Sequence, residues 1–105
     1  MPFKVDFIAE AENDFDALDG AVRKEAAKKI DSLAGNLFLG KPLGNKLGIN
    51  LTGWYKLYFV KKKYRIVYRI IGEDIEIVEI IAIGRRDKEE VYKMAAKRLK
   101  KLLKM

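Results

Sequence analysis

The sequence contains no cysteine and no histidine. Their absence excludes disulfides, thiolate nucleophiles, Ser-His-Asp and Cys-His triads and nearly every zinc site. Neither a metal nor a cofactor is expected. Any catalysis must run on Lys, Arg, Tyr, Asp or Glu, either through lysines whose basicity is shifted or through charge stabilisation, because the usual proton carrier near neutral pH is missing. No apolar run approaches 18 residues, no segment is of low complexity and no internal repeat is visible, so a membrane is not among the expected partners. Met1 to Glu10 alternates apolar and charged residues and acquires acid before an apolar stretch can develop, unlike a signal peptide. A cytoplasmic location is the expectation.

What is present fits one domain spanning 1–105, with half of its residues apolar and 35% charged. A chain of this length buries roughly two-thirds of its unfolded surface. The net charge of +7 is unevenly distributed: residues 1–52 carry 7 Lys and Arg against 8 Asp and Glu, and residues 53–105 carry 15 against 7. A second half at +8 favours a polyanionic partner, either nucleic acid or an acidic protein segment. Solubility alone is the competing reading of scattered lysines.

Period-two alternation over Phe3 to Ile8 predicts a first strand. Helical spacing from Ala9 to Ala34, broken near Asp19-Gly20, predicts a helical hairpin. Five glycines and Pro42 between Gly35 and Gly53 predict a loop. Three strands are expected at Trp54 to Val60, Lys63 to Ile71 and Ile75 to Ile83, whose short links imply an antiparallel meander. The last of these is almost wholly apolar and is expected to lie centrally, with Glu76 and Glu79 needing solvent or cationic partners. Asp87 and Glu90 resemble a capping box opening a helix with Val91, Ala95, Leu99 and Leu102 on one side and Lys93, Lys97, Lys100, Lys101 and Lys104 on the other. The fold class is therefore α+β: an N-terminal strand, a helical hairpin, a three-stranded antiparallel meander completing the sheet and a C-terminal helix, with the helices mainly on one face.

Strand alternation places Tyr55, Leu57 and Phe59 on one face with Tyr64, Ile66, Tyr68 and Ile70, toward the helices. The opposite face collects Lys56, Tyr58, Arg65 and Arg69, with Lys61, Lys62 and Lys63 at the hairpin tip, Arg85 and Arg86 at the end of the last strand, and Tyr92 on the following helix. Interleaved cations and aromatics suit phosphate neutralisation and base stacking on single-stranded RNA. Bland readings stand beside this one: lysines that protect a hairpin from edge pairing, Arg65 and Arg86 paired with Glu79 or Glu76, and Tyr92 packing helix on sheet.

The stretch YRIVYRI (64–70), the apolar strand after it and IGRRDKEEVYKMAAKRL (83–99) resemble the C-terminal signature of RelE toxins in the RelE/ParE superfamily, and the upstream order of strand, helical hairpin, glycine-bearing loop and WYKLYF (54–59) follows the same plan. The resemblance implies the toxin of a type II toxin–antitoxin system: a metal-independent, ribosome-dependent endoribonuclease that cuts mRNA in the ribosomal A site and is held inactive by a cognate antitoxin. In that chemistry the 2′-hydroxyl attacks the adjacent phosphate, leaving a 2′,3′-cyclic phosphate and a free 5′-hydroxyl. The resemblance implies catalytic roles for Lys56, Arg65, Arg86 and Tyr92. Tyr58 departs from it, standing where the RelE pattern has a second lysine often cast as the general base. Tyr58, Lys61, Lys62, Lys63, Arg69, Arg85, Lys93 and Lys97 are the candidate contacts to mRNA or ribosomal RNA. The alternatives are a ParE-type poison of DNA gyrase and a non-catalytic nucleic-acid-binding domain of the same fold.

Overall fold

The computed structural model describes residues 4–36, 39–46, 49–71, 77–85, 93–95 and 97–98, with 43–46 and 49–52 as backbone. Seven elements follow in order: β1 Lys4–Phe7, α1 Ala9–Asp16, α2 Gly20–Gly35, β2 Lys41–Lys46, β3 Ile49–Phe59, β4 Tyr64–Ile71 and β5 Ile77–Arg85. Residues 93–95 and 97–98 are helical and form the C-terminal segment. The strands make one sheet in the order β1-β5-β4-β3-β2. β1 runs parallel to β5, and all other pairs are antiparallel.

Both hairpin helices form where the spacing predicts them. In α2 the buried residues Ala26, Ile30 and Leu33 fall on one stripe at helical spacing. That stripe and Ala11 of α1 meet Leu57, Phe59, Ile66, Tyr68, Val78, Ile80 and Ile83 in the main core. A smaller core on the opposite face joins Trp54, Val67, Ile81 and Ala82 to Ala95 of the C-terminal segment. The sheet is thus covered on both sides, with α1 and α2 on one and the C-terminal segment on part of the other.

The segment expected as a loop is partly strand. β2 occupies 41–46 and β3 begins at Ile49, five residues ahead of the expected Trp54. The meander therefore has four strands, not three. β2 lies at the sheet edge, where pairing rests on backbone hydrogen bonds and Pro42 is tolerated; its glycines erase the apolar alternation by which a strand is recognised. β5 is flanked by β1 and β4, but the middle strand of the five is β4.

β5 also contains a β-bulge. Tyr68 pairs with Ile80 and Val67 with Ala82, leaving Ile81 as an extra residue. Val78 and Ile80 face α1 and α2, Ile81 and Ala82 face the C-terminal segment, and Ile83 returns to the helices. This change of phase explains why the strand reads as a continuous apolar run.

Candidate active site

The hairpin of β3 and β4 builds the site. Tyr58 and Arg65 are cross-strand partners, and Lys56 precedes Tyr58 by one pleat on the same face. Arg65 Nη2 donates to the Tyr58 hydroxyl at 3.2 Å, and its guanidinium carbon lies 4.8 Å from the Tyr58 ring centroid. Lys56 Nζ is 5.5 Å from the same centroid. One phenol is therefore held between two cations, both within the range of cation–π attraction. Arg65 is only 5% exposed. Its register partner on β5 is Gly84, which offers no side chain to compete for the space above the sheet.

Two other expected members, Arg69 and Arg85, do not join this cluster. Arg69 donates through Nε to Glu79 Oε1 at 2.7 Å, with Nη2 at the same distance, and stacks 5.7 Å from the Trp54 ring. Its charge is paired within the sheet, and Glu79 has the cationic partner its position demanded. Arg85 does not join Lys56, Tyr58 and Arg65: it pairs in register with Tyr64 and lies 5.8 Å from that ring, which packs against the main core. The bulge at Ile81 is the cause, because one extra residue turns everything after it to the other face. Lys61, Lys62 and Lys63 are exposed at the hairpin tip, and Lys93 and Lys97 on the C-terminal segment. Arg86, Tyr92 and Glu76 lie outside the described residues. Among the described residues no three Cys, His, Asp or Glu side chains converge to hold a metal ion.

Two structural constellations were not legible in the sequence. The Gly40 N–H donates to the buried Tyr68 hydroxyl at 2.9 Å, and a Cβ at Gly40 would sit 2.5 Å from the Lys56 carbonyl oxygen. Gly40 is thus required by close approach and seats β2 against the back of the site. Burial pushes the Tyr68 phenol above its ordinary value, the Gly40 N–H opposes this, and Tyr55, stacked 5.4 Å away, adds to the rise. The second constellation is a bidentate ion pair: Arg98 Nη1 and Nη2 donate to Asp14 Oδ2 and Oδ1 at 2.6 and 3.1 Å. Asp14 Oδ2 also accepts from Ile83 N–H at 3.1 Å, and Arg98 Nη1 donates to the Ile81 carbonyl at 2.8 Å. β1 pairs with β5 only as far as Ile80, so this pair satisfies the β5 edge where the neighbouring strand stops.

Comparison with known proteins bears on this geometry. The family model described as the ParE toxin of type II toxin–antitoxin systems matches residues 5–90. The chain belongs to that toxin family. Among its relatives, the mRNA interferase toxin RelE of Escherichia coli strain K12 is 31% identical over 99 residues, covering 94% of this chain and 99% of the relative. A free double-arginine variant of E. coli RelE superposes with a TM-score of 0.73 at 28% identity, covering 94% of this chain and 99% of that one. RelE in the intact E. coli RelBE toxin–antitoxin complex superposes with a TM-score of 0.63 at 26% identity, covering 82% of this chain and 99% of that one. The α+β fold is thus that of the RelE toxins. Within that fold the Lys56, Tyr58 and Arg65 cluster sets two cations against one phenol.

Proposed function

We propose that the protein is the toxin of a type II toxin–antitoxin pair and an endoribonuclease that cleaves mRNA on the ribosome. The observation that carries this reading is Arg65, buried on the sheet face opposite α1 and α2 with its guanidinium held against Tyr58 and with Lys56 on the same ring. The attacking 2′-oxygen makes a pentacoordinate phosphate with one more negative charge than the ground state, and a fixed guanidinium is worth about 2–4 kcal/mol toward it, as for other preorganised donors. Arg86 and Tyr92 enter on the family resemblance, as a second phosphate contact and as the group beside the reacting base. A site without histidine gains from a host that holds the in-line geometry, which supports ribosome dependence. The partner is an acidic antitoxin segment drawn to the basic half of the chain. Among the described residues no helix is long and apolar enough to cross a membrane, and we place the protein in the cytoplasm, where its substrate is.

The test is primer extension on transcripts after induced expression, with single-turnover cleavage on programmed ribosomes. New 5′ ends within reading frames, carrying 5′-hydroxyls, are expected. A second reading, the gyrase poison, is favoured by the description of the matching family model and by Tyr58 in place of a lysine. Intact transcripts with lost supercoiling activity would establish it.

A further inference from the structure

The turn between β3 and β4 is closed by Lys63 N–H donating to the Val60 carbonyl at 2.9 Å. Within it Val60, Lys61 and Lys62 have φ of 51°, 52° and 68°. Residues with side chains seldom adopt this left-handed backbone, and β-branched ones least of all. Asn-Gly would make such a turn without strain. The chain instead has lysine at both central positions, and strain of this kind persists only where the surrounding structure holds it, most often at ligand-binding and switch segments.

The turn borders a cleft of about 590 Å³, lined from the hairpin by residues 58–62 and from α2 by Glu25 and Lys29. Lys29, Lys61 and Lys62 outnumber the single carboxylate, and Glu25 is itself 3.6 Å from Lys28 Nζ on the α2 surface. Lys29 was not among the residues the sequence singled out; its position three turns into α2 gives no sign that it faces the hairpin.

We propose that this cleft is a second RNA-binding site, which takes the phosphodiester backbone of the same single strand that lies across Lys56, Tyr58 and Arg65. The proposal rests on the endoribonuclease reading and extends it along the substrate. The cleft lies on the α2 side of the sheet and the Lys56, Tyr58 and Arg65 cluster on the other, so the RNA strand rounds the β3 edge past Lys56, where pairing with β2 ends. Tyr58 carries the continuity, since it lines the cleft and also holds Arg65 and Lys56 against its ring. A polyanion leaving the cut site toward the hairpin tip meets Lys61 and Lys62, then Lys29, and Phe59 and Val60 give the same cleft apolar surface for a base or sugar. The strained turn directs two lysines to this path at the expense of fold stability.

The experiment measures affinity for a short 2′-O-methyl RNA, which cannot be cut, across a salt series. Lys29→Gln/Lys61→Gln/Lys62→Gln is expected to weaken binding about tenfold or more and to flatten the slope of log affinity against log salt by about 2, near 0.7 for each lost phosphate contact. Lys61→Gly/Lys62→Gly is expected to weaken binding while the melting temperature stays or rises, a pairing of effects that a purely structural turn cannot give. Lys4→Gln, on the far edge strand, should bind as the wild type does. Triple-variant affinity equal to wild type, or a wild type that binds no short RNA, would overturn the proposal. So would loss of ribosome affinity with short-RNA affinity intact, which would make the cleft an anchor on ribosomal RNA, or loss of binding to polyglutamate alone, which would make it a protein site. A wild type that binds the short RNA through these lysines yet leaves mRNA uncut on ribosomes would overturn only the endoribonuclease reading.

Discussion

Keeping a guanidinium 5% exposed on a sheet face costs solvation, and at Arg65 the phenol of Tyr58 offsets part of that cost with its ring and its oxygen. The planar fork is what makes this possible, so lysine is not an equivalent there. Arg65→Lys should retain the fold by circular dichroism and lower single-turnover cleavage about 100-fold, the equivalent of about 2.7 kcal/mol at ~1.4 kcal/mol per decade. An unchanged rate would remove Arg65 from the chemistry. Tyr68 makes a different, purely structural prediction. Its folded pKa lies above the unfolded value of 10.0, so the fold favours the neutral phenol. The stability this gives is complete below pH 10 and is lost as pH rises through the folded value. Tyr68→Phe should therefore be less stable near neutrality, because the Gly40 N–H loses its acceptor, yet should lose less stability than the wild type between neutral and strongly alkaline pH. Denaturant midpoints across that range check both signs.

Among the elements, those that announce themselves by periodicity are the ones the sequence makes legible. α2 shows its stripe of Ala26, Ile30 and Leu33, and β4 shows Tyr64, Ile66 and Tyr68 alternating with Arg65 and Val67, so the face that gathers Lys56, Tyr58 and Arg65 follows from pattern alone. β2 was illegible because an edge strand is specified by backbone pairing, and glycine carries no alternation. The bulge was illegible because an inserted residue among isoleucines leaves the apolar run unbroken, and its effect on Arg85 could not be read without it. Asp14 and Arg98 stand 84 positions apart, beyond any local signal. Their pair is largely shielded, with side chains 14% and 16% exposed. Asp14→Ala strands the Ile83 N–H and one guanidinium together, and should cost about 2–3 kcal/mol, a range typical of charge-assisted hydrogen bonds. In a domain of this size that lowers the melting temperature by roughly 10 °C. A shift below 2 °C would mean that the pair is solvated and contributes little.

For the whole molecule, the imbalance of charge between the two halves sets how partners approach. An antitoxin segment that covers the basic half should bind more weakly as salt rises, with charge reversal at Lys93 and Lys97 reducing the association rate more than it raises the dissociation rate. Titration calorimetry and stopped-flow mixing test this, and indifference to salt and to both reversals would point to an apolar interface elsewhere. The shortness of β1 has a further consequence, which concerns self-association. Four residues of β1 leave the end of β5 paired with β4 on one side but past the reach of β1 on the other, and two side chains from distant parts of the chain occupy that gap. Arg98 therefore acts as a shield against sheet-to-sheet growth, since an uncovered strand edge is a template for another chain. A chain truncated after residue 92 should remain folded at low concentration but form larger species as concentration rises, visible by light scattering. Adding back a peptide of residues 93–105 should restore monodispersity, and a truncated chain that stays monomeric at every concentration would show that the edge needs no cover.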